Sequence, residues 1–236
     1  MAITNVGKLY SERYSRDQEQ HVYPVEFVVR AFLGTYPELK IDRSKFPGSR
    51  VLDLGFGDGR NMPLLRNLGF QIYGVEIHEN ILQTVRERLP NIGVSAELAV
   101  GSNVSIPFED DFFDYILACH SCYYVEDGTT FSDNLQEIRR VIKREGVLVC
   151  SLPMPDTYLL KGAESLGNGH WRITYDPYGL RTGAIFRAFE SQDEIIAEFG
   201  SAFTDFKIGF CDDHYWGIRQ KVWIVVCTKA ITCNRS

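Results

Sequence analysis

The sequence predicts a doubly wound α/β domain, a mostly parallel sheet with helices on both faces. Strand-length apolar segments alternate with helix-length segments along most of the chain, the pattern that a parallel sheet covered on both sides requires. The first strand runs directly into a glycine-rich turn and a helix, in Val51-Leu52-Asp53-Leu54-Gly55-Phe56-Gly57-Asp58-Gly59-Arg60-Asn61. No repeat and no linker rich in Pro, Gly or Ser divides the 236 residues, so a single domain over 1–236 is expected.

Taken in order, residues 1–49 precede the first strand and form a helical cap, with helix candidates at Lys8–Asp17 and Val25–Leu33. Strands follow at Arg50–Leu54, Gln71–Glu76, Ser95–Val100 and Phe113–Cys119, with helices Arg60–Leu68 and Glu79–Leu89 between them. The helix Phe131–Lys143 carries Leu135, Ile138, Val141 and Ile142 at i, i+3, i+4 spacing, while Glu137, Arg139, Arg140 and Lys143 fall mostly on a solvated back. Beyond the strand Gly146–Leu152, residues 153–190 are too long for an ordinary connection and read as a lid-like insert. Its aromatics Trp171, Tyr175, Tyr178, Phe186 and Phe189 either wall a ligand pocket or pack the insert onto the sheet. After a helix at Gln192–Phe199, the strands Phe203–Phe210 and Lys221–Thr228 lie too close for a helical crossover and should pair antiparallel at one edge.

The glycine spacing narrows the ligand. Gly55 and Gly57 allow a sharp turn and a close backbone approach, and the following helix presents unpaired N–H groups to the crevice. A dinucleotide fingerprint, G-x-G-x-x-G, needs a glycine at position 60, which is Arg60. Here the third glycine comes one residue early and Asp53 precedes the loop, which resembles the first motif of class I S-adenosylmethionine-dependent methyltransferases. Roughly 20 residues past the loop, Gly74-Val75-Glu76-Ile77 ends a second strand in an acid suited to the vicinal hydroxyls of a ribose.

Three further stretches carry the same resemblance. Gly101-Ser102-Asn103-Val104-Ser105-Ile106-Pro107-Phe108 followed by Phe113-Asp114 is similar to the family's third-strand segment, with Ser102 where an acid is common. Cys119-His120-Ser121-Cys122-Tyr123-Tyr124 ends the fourth strand, and Glu137 to Gly146 is similar to the family's helix-to-strand segment. The resemblance implies a seven-stranded sheet of order 3-2-1-4-5-7-6, its last strand antiparallel. It also implies S-adenosylmethionine as cofactor, with Asp53, Gly55, Phe56 and Gly57 around the methionyl part and Glu76 on the ribose. Ile77, Ser102, Asn103 and Val104 would frame adenine, and Cys119 would border the sulfonium. Tyr23 to Arg30 looks like a helix that some small-molecule methyltransferases place over the methionine end. On that view Arg30 pairs with the cofactor carboxylate and Tyr14, with Tyr10, covers the methionyl group; a surface Arg and packing tyrosines are the competing readings. His120 is the candidate general base, against the competing roles of cofactor contact or packed strand-end residue; His170 and His214 are weaker candidates.

Composition bounds the alternatives. The net charge of −6 gives no electrostatic footprint for nucleic acid, and Val222–Cys227, the longest apolar run, is too short to span a bilayer. Six cysteines with no apolar leader suggest free thiols and a cytoplasmic setting. Cys119-x-x-Cys122 lacks the second cluster that a zinc site needs, so no metal is expected. The expected activity is methyl transfer to an oxygen or nitrogen of a small-molecule acceptor. An NAD-dependent dehydrogenase or epimerase on a similar fold, and a regulatory pseudo-enzyme that binds S-adenosylmethionine, remain as alternatives; oligomeric state is left open.

Overall fold

The computed structural model describes residues 7–13 and 22–231. Eleven strands occur among them. In chain order they are β1 (Arg50–Leu54), β2 (Gln71–Glu76), β3 (Ala96–Val100), β4 (Phe113–Ala118), β5 (Tyr124–Val125) and β6 (Ile142–Pro153). Then come β7 (Glu164–Gly167), β8 (His170–Arg172), β9 (Ile185–Arg187), β10 (Phe203–Tyr215) and β11 (Ile218–Lys229). The helices are α1 (residues 7–13), α2 (Glu26–Leu33), α3 (Met62–Asn67), α4 (Glu79–Arg88), α5 (Phe131–Val141) and α6 (Gln192–Phe199).

Seven strands form the main sheet in the order β10-β11-β6-β4-β1-β2-β3, the expected order read from its other edge. The neighbours from β3 to β6 pair in parallel, whereas β11 runs antiparallel to both β6 and β10. Because side chains alternate along a strand, each buried strand feeds two cores. Leu52, Ile116, Leu148 and Cys150 face α5 and α6, where Phe131, Ile138, Ile195 and Phe199 pack. Val51, Leu117 and Val149 face the opposite layer, with Phe32 of α2, Leu65 of α3 and Leu82 of α4. The charges of α5 also do structural work: Arg140 donates to the carbonyl oxygens of Ile106 and Phe108, holding the segment between β3 and β4.

The structure departs from the sequence expectation at the C-terminal hairpin. Cys211–Gln220 was expected as a connection, yet β10 and β11 run through it to a two-residue turn at Trp216 and Gly217. Both turn residues have positive φ, +43° and +92°, the backbone twist that closes a tight hairpin. The helix after the glycine loop starts at Met62 instead of Arg60, because Gly59 at φ +69° interrupts it and Pro63 suits the first helical turn.

The insert is no irregular loop. Its strands β7, β8 and β9 join β5 in a second, antiparallel sheet ordered β5-β9-β8-β7. Buried Arg187 on β9 donates to Glu194 and Glu198 of α6, and Trp223 Nε1 donates to the Phe189 carbonyl, so this small sheet is fastened to the main body. The expected aromatics divide accordingly. Phe186 and Phe189 are core residues, Tyr175 is exposed, and Tyr178 turns toward the cleft described next.

Candidate functional site

The carboxyl ends of β1, β2, β3 and β4 open into one cavity of about 590 Å³. That is within the roughly 300–1,000 Å³ common for small-molecule sites. It lies where the strand order reverses on either side of β1, the usual crevice of an open α/β sheet. Gly55, Phe56 and Gly57 form its floor, Glu76 and Ile77 one side, Gly101 to Asn103 another, and Cys119 to Ser121 the inner end. Part of α1, with the segments around Tyr158 and Arg181, completes the enclosure.

Gly55 sits at φ +67° with its N–H donating to the Val75 carbonyl, which ties the tip of β1 to β2. A Cβ here would lie 2.5 Å from Ser121 Cβ, so the loop has no room for a side chain. Glu76, almost fully buried, accepts from Gly57 N at 2.9 Å and from Ile77 N at 2.8 Å, one amide on each oxygen. A carboxylate oxygen holds more than one acceptor site, so both remain able to take hydroxyl donors from the cavity. Burial raises the Glu76 pKa, and the Ile77 and Gly57 amides oppose that shift.

Asp53 lies beneath this floor, fully buried and off the cavity wall, and neither carboxylate oxygen has a hydrogen-bond partner among the described residues. Its pKa is pushed up to about 8 by burial and by the nearby charges of Asp58 and Glu76. Arg60 closes on Asp58 at 2.5 Å, so this carboxylate at the cavity is paired with a cation.

At the tip of β3, Ser102 and Ser105 exchange two backbone hydrogen bonds in a tight turn. Asn103 donates both amide hydrogens, to the Ser121 carbonyl at 3.0 Å and the Tyr124 carbonyl at 3.1 Å. Its Oδ1 is thereby left as the acceptor of that side chain. Ile77, more than a third exposed, lies beside Gly7 of α1. The Cys119 thiol, on the wall, has its pKa pushed up by burial and by Asp53 and stays protonated.

His120 has φ +56°, rare for a residue with a side chain, and its backbone N–H donates to Ser151 Oγ at 2.9 Å. Nδ1 lies 3.0 Å from the same hydroxyl, and Nε2 lies 3.1 Å from Gln220 Nε2. With the Gln220 amide donating, the ring proton sits on Nδ1 and the Nε2 lone pair is taken. Burial, with Arg181 and Arg60 adding like charge, lowers the His120 pKa to about 4. At this residue the unfolded chain therefore binds more protons than the folded one between that value and about 6.5, so the contribution of His120 to stability falls as pH drops through this window, whereas the raised pKa of Asp53 acts in the opposite sense. Thermal unfolding at pH 7.5 and pH 5 should therefore show the wild type gaining less, or losing more, on acidification than His120→Gln, a comparison in which the Asp53 contribution cancels. An equal pH dependence in both proteins would mean that His120 does not titrate as described.

Four expectations are corrected by this geometry. Arg30 does not reach the cavity; it is exposed on α2 and paired with Glu26 at 2.6 Å and with the Tyr36 hydroxyl. Helix α2 turns its apolar face to the core, which leaves Arg30 on the solvent side. Val104 is off the wall because it occupies the tip of the Ser102–Ser105 turn. His170 and His214 also lie outside the cavity, on β8 and on the long hairpin. Tyr14 lies outside the described residues. Among the described residues no three His, Cys, Asp or Glu side chains converge as a metal site, and no helix is long and apolar enough to cross a membrane. The five described cysteines are free thiols.

Sequence reasoning missed Arg13, Glu126, Tyr158, Arg181 and Gln220, which all border the cavity. One local signal was available. Asp176-Pro177-Tyr178-Gly179 is a turn sequence, with Pro second and Gly fourth, and the Gly179 N–H donates to the Asp176 carbonyl at 2.9 Å. The buried Asp176 carboxylate accepts from the amides of Tyr178, Leu180 and Arg181, and this turn delivers Arg181 to the wall.

Comparison with known proteins agrees with the fold. Residues 52–150 match the model of a methyltransferase domain family. A demethylmenaquinone methyltransferase from Bacillus cytotoxicus is 31% identical over 108 residues, 44% of each chain, so the chain matches less than half the length of that curated relative. Among solved structures, the N-methyltransferase NodS from Bradyrhizobium japonicum, bound to S-adenosylhomocysteine, superposes with a TM-score of 0.65 at 13% identity, covering 96% of this chain and 100% of NodS. A methyltransferase from Thermotoga maritima, described as a possible histamine N-methyltransferase, gives a TM-score of 0.58 at 21% identity, covering 95% and 99%.

Proposed function

We propose that this chain, which carries a class I S-adenosylmethionine-dependent methyltransferase domain, transfers a methyl group to an oxygen or nitrogen of a small molecule. The observation that carries the reading is the Gly55–Gly57 floor clasped by Glu76, with unpartnered Asp53 beneath it and a cavity beyond.

The residues present suit the cofactor. Glu76 would take the ribose hydroxyls on its free lone pairs, Ile77 would lie against adenine, and Asn103 Oδ1 would accept from the adenine amino group. The backbone of Gly55 and Gly57 would hold the methionyl part. When bound, S-adenosylmethionine supplies a methyl group activated by positively charged sulfur. The chain aligns an acceptor with that methyl and keeps water out. His120, with both ring nitrogens engaged and a pKa near 4, serves to position Gln220 and the end of β4 and is a poor proton acceptor near neutrality.

Titration calorimetry tests the reading. S-adenosylhomocysteine should bind the full chain while NAD gives no heat. Tight NAD binding with none for S-adenosylhomocysteine would replace the proposal with a dehydrogenase.

A further inference from the structure

We infer that the methyl acceptor is an aryl oxyanion, a carboxylate or ionised phenol, gripped by Arg181 among a group of tyrosines. The inference rests on the methyl-transfer reading and names its substrate class.

Away from the glycine floor, the wall is aromatic and cationic. Tyr10 and Tyr124 meet through their hydroxyls at 3.2 Å, and Tyr158 and Tyr178 pack edge to face with ring centroids 6.3 Å apart. The Arg181 guanidinium lies 5.7 Å from the Tyr10 ring centre, and Arg13 lies 5.4 Å from that of Tyr178. One carboxylate, half-buried Glu126, shares this part of the wall.

The guanidinium is built into place. Asp176, whose side chain is wholly buried, accepts Arg181 Nη1 at 3.1 Å after taking three backbone amides. No described residue accepts a hydrogen bond from Arg181 Nε or Nη2, although the side chain is only 18% exposed. Two fixed, largely desolvated donors beside tyrosine rings match a planar oxyanion, which a guanidinium recognises through parallel N–H bonds. The rings offer flat apolar faces to an aryl frame. An amine acceptor would meet a guanidinium that repels its protonated form.

The assignment also removes the need for a base. An acceptor that arrives ionised uses an oxygen lone pair to form the O–CH3 bond as the sulfonium C–S bond breaks. That bonding pair stays on sulfur, no proton moves, and a negative and a positive charge cancel within an enclosed site. His120, with both nitrogens occupied, is not called upon.

Saturation-transfer NMR on the full chain saturated with S-adenosylhomocysteine tests this. Benzoate and 4-nitrophenolate should bind, and the size-matched benzamide and benzylamine should bind roughly tenfold or more weakly, the scale of a charge-assisted hydrogen bond. Arg181→Met should erase the preference and Arg181→Lys should retain part of it, while calorimetric affinity for S-adenosylhomocysteine stays unchanged and reports intact folding. Equal binding of all four probes, absence of anion binding, or a preference that survives Arg181→Met overturns the inference. So does a matching loss of S-adenosylhomocysteine affinity in Arg181→Met, which would place the guanidinium on the cofactor. A wild-type chain that selects benzoate yet never binds S-adenosylhomocysteine would instead sink the methyl-transfer reading, and the acceptor role with it.

Discussion

Gly55→Ala should abolish measurable S-adenosylhomocysteine binding, while Gly48→Ala leaves it intact. The two glycines have similar backbones, φ +67° and +82°, so each substitution carries the cost of a left-handed residue, roughly 1–2 kcal/mol. They differ in surroundings. A Cβ at Gly48 meets nothing within 4 Å, whereas at Gly55 it stands 2.5 Å from Ser121 Cβ and 3.2 Å from Ser121 Oγ. Ser121 cannot retreat freely, because its hydroxyl donates to the Leu54 carbonyl at 2.5 Å and its own carbonyl accepts from Asn103. Relief of the clash must therefore move the floor, the β4 tip or the adenine side of the cavity. Both variants should melt lower, by about 2–4 °C per kcal/mol lost for a chain of this size, but Gly55→Ala alone should lose the ligand. Equal affinity in the two variants would show that close approach at Gly55 plays no part in binding.

Removal of the Glu76 carboxylate comes next in expected effect. Glu76→Ala leaves the Gly57 and Ile77 amides without their acceptor and takes away the groups assigned to the ribose. Affinity for S-adenosylhomocysteine should fall by roughly 10- to 100-fold, since each lost hydrogen bond to a charged group is worth about 1.5–3 kcal/mol. Glu76→Gln separates two contributions. Its one carbonyl oxygen can still serve a backbone amide or a hydroxyl, but its NH2 faces a donor where an acceptor is needed. It should therefore recover only part of the loss, as read by calorimetry. Wild-type affinity in Glu76→Ala would remove the ribose assignment and shift attention to Asn103 and Ile77.

These two positions are also where sequence and structure agree best. The strands β1 and β2 begin and end as expected, at Arg50–Leu54 and Gln71–Glu76. β1 is a short apolar run that enters a glycine turn and β2 one that ends in an acid, signals that act within a few residues. Agreement weakens as the deciding contact becomes more distant. Arg30 was a good candidate on helix position alone, but α2 rotates to bury Phe27, Val28 and Phe32, and that rotation sends Arg30 to solvent. His120 stands at the cavity as expected, yet its chemistry is set by Ser151 on β6 and Gln220 on β11. Neither partner is near it in sequence.

From the chain alone came the alternation of strands and helices, the glycine floor, and the acid at the end of β2, because backbone preference and side-chain period are local properties. Tertiary packing decided which charges enter the cleft. Arg181 meets Tyr10 only because the insert folds as its own sheet against α6 and β11. A side chain's partners across such distances depend on how whole layers seat against one another, and no spacing of residues along the chain encodes that seating.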